Sequence, residues 1–300
     1  MSSHSVDTVP GTTTRPAGSA ERLARIAALR RAGTPIVMVT AYDVAGARAC
    51  QAAGIDIILV GDSGANVVLG YASTRDVSLD EMLMLTRAAR RGTSSVLLIG
   101  DLPFGTYESS DDLAVATALR FVEEAGCDAV KLEGAGEMLS RVRAVVAAGI
   151  PVMGHVGLLP QGARDASELR ARGRSADEAR QIIEDALALE RAGCFSIVVE
   201  AVPAAVSELL AARLTVPAIG IGAGAAVHGQ VLVYHDLLGI TEGAGAKFVK
   251  RYAEIAAESA AGIRRFADEV RSGAYPQPEH TYRIAPEELE ELRRQIPTRG

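Results

Sequence analysis

The 300-residue chain is predicted to be an α/β protein folded as a closed (β/α)8 TIM barrel, on three observations. Eight short aliphatic or β-branched runs recur along it, and amphipathic segments with helical spacing fill most of the gaps. Several of those segments stop at an Ala-Gly pair just before the next apolar run. Parallel strands need a crossover of about a dozen residues or more, usually a helix, so this alternation predicts a parallel sheet with helices outside it. The rival is an open doubly wound sheet. No phosphate-binding glycine fingerprint follows the first run, which weakens the dinucleotide-binding version of that rival.

The elements follow in order. Residues 1–20 (MSSHSVDTVPGTTTRPAGSA) are rich in Ser, Thr, Pro and Gly, lack the apolar centre of a signal peptide, and are predicted disordered. A helix is expected around Glu21–Arg31. Strands are expected at Ile36–Thr40, Ile57–Val60, Val96–Ile99, Ala129–Leu132, Pro151–Gly154, Ser196–Val199, Ala218–Ile221 and Val231–Tyr234. Helical spacing is clearest over Asp111–Ala125, Glu137–Ala148 and Ala176–Ala192, and a long helix is expected over Lys247–Arg271. Gly54, Gly126, Gly149 and Gly193 each follow an Ala at such a helix end, where a residue without Cβ can turn left-handed. The expected organisation is one catalytic barrel domain over 21–282, followed by a polar tail over 283–300 with a final helical turn.

Composition narrows the function. A hydrophobic share of 48% with 23% charged residues is ordinary for a globular protein with a sizeable core. The net charge of −6, without a basic patch to track a phosphate backbone, argues against a nucleic-acid partner. No apolar run reaches the length of a membrane span. Cys50, Cys127 and Cys194 are too scattered for a disulfide framework or a zinc site and read as buried free thiols, which fits a cytoplasmic protein. His228, His235 and His280 lack metal-ligand spacing, and the Arg-rich stretch Arg164–Arg180 reads as a solvated helix face. Gly220-Ile221-Gly222-Ala223-Gly224 lacks the full dinucleotide spacing. It reads as a place where the backbone passes close to the mouth or to a ligand.

The chemistry is written at the strand ends. The second run ends in Gly61-Asp62-Ser63, the third in Gly100-Asp101, the fourth in Lys131-Leu132-Glu133, the fifth in Gly154-His155 and the sixth in Val199-Glu200. In a barrel these ends converge on the one face where active sites sit. A lone Asp after a strand is commonly just the cap of the next helix. Four acids, a lysine and a histidine at five successive ends are harder to explain that way. Clustered carboxylates are costly unless a cation neutralises them. Oxygen donors with one imidazole nearby suit Mg²⁺ better than Zn²⁺. The pattern therefore predicts a metal site acting on a small anionic substrate.

The same stretches carry a family likeness. Thr40-Ala41-Tyr42-Asp43, Val60-Gly61-Asp62-Ser63, Asp101-Leu102-Pro103-Phe104, Val130-Lys131-Leu132-Glu133-Gly134, Pro151-Val152-Met153-Gly154-His155, Pro160-Gln161, Glu200-Ala201-Val202-Pro203 and Lys247-Phe248-Val249-Lys250 occur in collinear order. With them the chain resembles the ketopantoate hydroxymethyltransferases, relatives of the phosphoenolpyruvate mutase and isocitrate lyase enzymes. The resemblance implies transfer of a one-carbon unit from 5,10-methylenetetrahydrofolate to 2-oxoisovalerate (3-methyl-2-oxobutanoate), through a Mg²⁺-stabilised enolate. The product would be ketopantoate, for pantothenate biosynthesis. It also implies that Asp62 and Asp101 ligate Mg²⁺ and that Glu133 holds a metal-bound water. Ser63, Asp101, Lys131 and His155 would contact the oxo acid, and Glu200 would be the base. The family forms homo-oligomers, typically decamers.

The chain departs from the family pattern in three places. Ala72 stands where an acid is common, followed by Arg75-Asp76 in place of a hydrophobic-Pro pair. Glu133-Gly134-Ala135-Gly136 carries an extra residue, and Gly162–Arg172 lacks a Gly-Gly and a Gln. These changes surround the expected ligands and base without removing them, and they leave room for a paralogue acting on another 2-oxo acid. A carbon–carbon lyase of the same superfamily is the other enzyme reading. Such relatives carry a catalytic Cys or a distinct lid motif, and neither stands near the strand ends here. A barrel that only binds a metabolite is the non-catalytic reading, opposed by the presence of every expected ligand.

Overall fold

The computed structural model describes residues 16–163, 168–243 and 245–296. Most of the segment expected to be disordered lies outside them, as do 164–167 of the altered loop and the last four residues. The chain divides into two compact units, one running to Tyr252 and one starting at Ala253.

The first unit is the barrel. Its strands are β1 (Ile36–Thr40), β2 (Ile57–Val60), β3 (Leu97–Asp101), β4 (Ala129–Lys131), β5 (Val152–Gly157), β6 (Ser196–Glu200), β7 (Ala218–Ile221) and β8 (Gly229–Leu232), closed in sequence order. Every neighbouring pair is parallel, including the closing pair of β1 with β8. The open-sheet rival is excluded. Around the strands lie α1 (Ser19–Ala32), α2 (Val44–Ala52), α3 (Gly64–Val67), α4 (Leu79–Gly92), α5 (Asp111–Glu123), α6 (Met138–Ala147), α7 (Ala176–Ala192), α8 (Ala204–Ala211) and α9 (Tyr234–Leu237).

The strands read as continuous apolar runs because both of their faces are buried. Alternate residues fill the barrel interior: Ile36 and Met38, Ile57 and Leu59, Leu97 and Ile99, with Ala129, Met153, Val198, Ile219 and Val231. The intervening residues, among them Val39, Ile58, Val60, Leu98, Val130 and Val199, pack outward against the helices. The helices are built to meet them. In α7 the Ser175 hydroxyl caps the start, Ile182, Ala186 and Leu189 are buried, and Gly193 at φ 106° ends the helix. Gly54, Gly126 and Gly149 also have positive φ, as their Ala-Gly positions predicted.

Several boundaries differ from expectation. β3, β5 and β6 extend to include Asp101, His155 and Glu200, because the parallel ladder continues through Asp101 opposite Lys131 and Glu200 opposite Gly157. β8 begins and ends two residues early. Its pairing starts with Gly229 opposite Ile36, where a Cβ would sit 2.4 Å from the Ile36 carbonyl oxygen, and it ends where Thr40 Oγ1 takes the Tyr234 amide at 2.9 Å. The expected helix over Lys247–Arg271 starts only at Ile255. Before that the Tyr252 amide bonds Leu237 O at 2.8 Å, a backbone pairing outside the helical pattern, and the Arg251 guanidinium bonds Thr241 O at 3.1 Å.

The second unit contains α10 (Ile255–Ser272) and α11 (Pro286–Gln295). The expected final turn is thus a ten-residue helix, with Glu287 and Glu288 in its first turn and Arg293 and Arg294 in its last, each favourable to the helix dipole. Tyr275 packs between Phe266, edge to face, and His280, tilted, with ring centroids 5.5 and 5.1 Å away. Among the described residues no helix is long and apolar enough to cross a membrane.

At the N-terminal end of the barrel α1 acts as a stopper. Ile26 packs into the interior cluster, and the polar residues of α1 grip the turns leading into the strands. Arg22 holds Asp128 at 2.6 Å and Ser94 O at 3.0 Å, Arg25 holds Asp56 at 2.6 Å, and Arg30 holds Leu214 O at 3.0 Å. Asp128 is fully buried, also accepts from the Leu98 amide at 2.9 Å, and faces Arg90 at 3.4 Å. Asp128→Ala is expected to cost about 3 kcal/mol, the lower part of the range for breaking a buried pair, because both arginines keep some solvent. Urea unfolding would measure it. A loss under about 1 kcal/mol would show that the clamp is not structural.

Candidate active site

The opposite end of the barrel opens into a cavity of about 940 Å3 lined by Asp62, Ser63, Asp101, Lys131, Glu133, His155 and Glu200, so every residue expected at the site lines one space. None of the four acids caps a following helix. The residues at the N-caps of α3, α5, α6 and α8 are Ser63, Ser110, Glu137 and Pro203.

Charge alternates around the floor. Lys131 Nζ donates to both carboxylate oxygens of Asp101 at 2.8 Å and lies 3.7 Å from Glu133 Oε1. His155 sits between two acids, its Nδ1 3.2 Å from Glu133 Oε1 and its Nε2 3.2 Å from Glu200 Oε2. Neither contact is aligned as a hydrogen bond, so His155 is held by charge and packing more than by direction. Beside this arc, Asp101 Oδ2 accepts the Asp62 amide at 3.2 Å, and Ser63 Oγ shares a 2.8 Å hydrogen bond with the Tyr42 hydroxyl.

The floor side chains are buried, and protonation follows from that. Burial, then the neighbouring Asp101 charge, push Asp62 up to about 8, against the pull of Lys131. Burial opposes the Lys131 charge, but Asp101, Glu133 and Asp62 outweigh it and keep the ammonium above the ordinary lysine range. Burial and Lys131 both work against a proton on His155, and Glu133 and Glu200 overcome them, holding the imidazole up to about 9. Burial would raise Glu133, yet His155, Lys131 and the Gln161 amide leave it below the usual carboxylate range.

Gln161 is the frame of this floor, and strand-end reasoning did not assign it. It sits in the 3-10 turn Pro160–Gly162 after β5 and is buried. Its Nε2 donates to Asp62 Oδ2 at 3.0 Å and to Leu102 O at 2.9 Å. Its backbone amide donates to Glu133 Oε2 at 3.1 Å, and its Oε1 accepts the Tyr107 hydroxyl at 2.6 Å. Tyr107 in turn accepts the Glu133 amide at 3.3 Å. Arg75, from one of the divergent stretches, reaches Gln161 O at 3.2 Å with its guanidinium 3.8 Å over the Phe104 ring. Pro160-Gln161 was visible as a matching stretch, but an amide carries no charge to mark its role. Ala201, after Glu200, adopts φ 51°, a costly conformation for a residue with a Cβ. Two backbone hydrogen bonds hold it, its amide to Ile221 O at 2.8 Å and its carbonyl from the Arg172 amide at 2.9 Å. This fixes the turn that follows Glu200.

Other expectations resolve in the same geometry. Gly222, at φ 64°, supports the Phe248 ring so closely that a Cβ would lie 2.6 Å from it, which is the close approach predicted for the Gly-rich turn. Cys50, Cys127 and Cys194 are free and buried, and none lines the cavity. Among the described residues of the Arg-rich stretch, from 168 onward, only those from Ala176 belong to an α-helix, α7, while Arg170 and Arg174 line the cavity mouth. Among the described residues no three His, Cys, Asp or Glu side chains are spaced to hold a metal ion by themselves.

The ketopantoate hydroxymethyltransferase family model matches residues 21–278, which contain all of this floor. The chain belongs to the ketopantoate hydroxymethyltransferase family. It is 49% identical to the 3-methyl-2-oxobutanoate hydroxymethyltransferase of Deinococcus radiodurans over 88% of this chain and 93% of that one. Two solved structures share the fold at low identity. A phosphonopyruvate hydrolase complexed with oxalate and Mg²⁺ has a TM-score of 0.56 at 17% identity, covering 91% of this chain and 95% of its own. A 2,3-dimethylmalate lyase of the PEP mutase/isocitrate lyase superfamily has a TM-score of 0.54 at 14% identity, covering 93% and 95%.

Gln161→Leu would leave the Asp62 carboxylate and Leu102 O without their amide donor and the Tyr107 hydroxyl without its acceptor. Stability is expected to fall by about 2 kcal/mol and turnover by about 10–100-fold, as for other residues that orient a catalytic shell. Thermal denaturation and a product assay would check both, and wild-type values in each would take Gln161 out of the frame.

Proposed function

We propose that the chain transfers a hydroxymethyl group from 5,10-methylenetetrahydrofolate to 3-methyl-2-oxobutanoate, giving ketopantoate and tetrahydrofolate. The observation that carries this reading is the arc of alternating charge at the barrel mouth, open to the cavity at Glu200. Membership of the family supports it, as does the lack of any cysteine along the cavity, which disfavours the lyase alternative.

The donor set fits a divalent cation. Asp62, Asp101, Glu133 and Glu200 bring four negative charges against the two positive charges of Lys131 and His155, an excess of two. Burial, and then the neighbouring Asp101 charge, push Asp62 upward, and a bound cation would offset both. Asp62 and Asp101 would hold Mg²⁺, with Glu133 on a bound water, in keeping with a metal that takes one or two carboxylates plus substrate and water. Once bound, the metal supplies positive charge to the keto and carboxylate oxygens of the oxo acid and so acidifies C3.

The remaining steps belong to the side chains. Lys131, Ser63 and His155 hold the oxo acid, Lys131 by charge and Ser63 by a hydroxyl set in place by Tyr42. Glu200 removes the C3 proton. Both oxygens of Glu133 are engaged, by Lys131 and His155 on one side and the Gln161 amide on the other. Glu200 is 17% exposed, and among the described residues its one charged contact is His155. C3 then attacks the methylene carbon of the opened folate, the folate nitrogen leaves with a proton, and water supplies the hydroxyl.

The deciding assay is folate-dependent formation of ketopantoate with Mg²⁺. Turnover of a different oxo acid alone would overturn the substrate assignment. Glu200→Gln is expected to retain binding of the oxo acid but slow exchange of its C3 proton with deuterated water by about 10²–10⁴-fold. Unchanged exchange would exclude Glu200 as the base. Asp101→Ala is expected to abolish Mg²⁺-dependent turnover, and full activity in that variant would remove it from the ligand set.

A further inference from the structure

We propose that Arg170, Arg174 and Lys247 form an anion-binding rim that takes the carboxylate-bearing tail of the one-carbon donor. This rests on the folate-dependent reading of the site. The cavity has two charge zones. Its floor holds the acids, whereas its mouth carries these three cations, all exposed, from two separate segments. Their side chains make no hydrogen bond or ion pair among the described residues. Arginines elsewhere in the barrel, such as Arg22, Arg25, Arg120 and Arg141, each face a carboxylate. In a chain with 37 acids against 31 lysines and arginines, three unpaired cations around one opening set a local positive field within a negative molecule.

Both segments are fixed. The Arg172 amide bonds Ala201 O at 2.9 Å, and Gly173, at φ 76°, lies so close to Ile182 and Pro203 that a Cβ would meet Ile182 at 3.0 Å. This seats Arg170 and Arg174 over the end of β6. Phe248 against Gly222 seats Lys247 over the end of β7. Between them Leu169, Pro203, Ala204 and Phe248 give an apolar strip suited to a flat ring system. Asp236 also lines the mouth, on α9.

Size points the same way. About 940 Å3 lies near the top of the range that suits a drug-sized ligand, and a five-carbon oxo acid fills little of it. The oxo acid has one carboxylate, which Lys131 can take at the floor. A donor ending in glutamate brings at least two more, and each further glutamate adds one. Guanidinium groups pair with carboxylates through two parallel hydrogen bonds, so the rim should favour a longer glutamate chain.

The test compares mono- and triglutamyl 5,10-methylenetetrahydrofolate with the wild-type enzyme and with the triple variant Arg170→Gln, Arg174→Gln, Lys247→Gln. Exposed positions of this kind leave the fold intact. The wild type is expected to show a lower KM for the triglutamyl donor. The triple variant is expected to raise that KM by about tenfold or more and to lose the preference, while the KM of the oxo acid stays within about twofold. A wild type that turns over with no dependence of donor KM on the three cations overturns the rim and leaves the reaction standing. If the wild type gives no folate-dependent product, the reaction fails instead. The rim is then judged by equilibrium binding of pteroyltriglutamate against pteroate, and equal affinity for the two overturns it.

Discussion

A single buried ammonium makes the rest of the active site possible. Lys131 lies between Asp101 and Glu133 in a region almost without solvent, and its charge is what permits three carboxylates to share the space. An isolated buried carboxylate would take a proton or force the structure open. β4 delivers this lysine because its parallel register puts Lys131 opposite both Asp101 on β3 and Met153 on β5. Glu133 follows two residues later, its amide held by Tyr107. The arc then continues through His155 to Glu200. Each charge is stabilised by the next, so its members act as one unit and not as separate residues.

The two ends of the barrel solve the same problem in opposite ways. At the bottom, Asp128 has two arginines and a backbone amide, and its charge is fully answered. At the top, the acids outnumber the cations, and Asp62, raised first by burial and then by Asp101, has an increased affinity for a proton. A barrel separates these tasks because its strands all point one way: one rim can be given over to stability while the other keeps charge available for chemistry. The Arg75 contact shows how a divergent stretch can join the catalytic frame without touching the reacting groups, by bracing Gln161 from behind.

Much of this was legible in the sequence, for physical reasons. Strands buried on both faces read as unbroken apolar runs, and helices ending in Ala-Gly mark their own stops. Asp62, Asp101, Lys131, Glu133, His155 and Glu200 stood out because charged groups at the ends of apolar strands have few other uses. Gln161 and Tyr107 were not assigned because they act through neutral hydrogen bonds from loops, where no periodicity places a side chain. The shifted bounds of β8 and α10 follow from single long-range contacts, Thr40 with Tyr234 and Tyr252 with Leu237. Arg170 and Arg174 looked like solvated charges because sequence cannot say which way a loop turns across a barrel mouth.

The stopper helix carries a consequence for how the chain acquires its structure. α1 precedes every strand, yet its side chains reach Ser94, Asp128 and Leu214, the last across 184 positions of sequence. Closure of the barrel likewise waits for β8 to meet β1. During synthesis α1 therefore cannot complete its native contacts until the chain has been made as far as Leu214. Ile26 and its neighbours stay exposed through that interval, when unburied apolar surface is most prone to aggregate. Long-range closure of this kind is slow compared with local helix formation. The helix that seals the finished barrel is thus made before the strands it seals and can be fully seated only once the chain has reached Leu214.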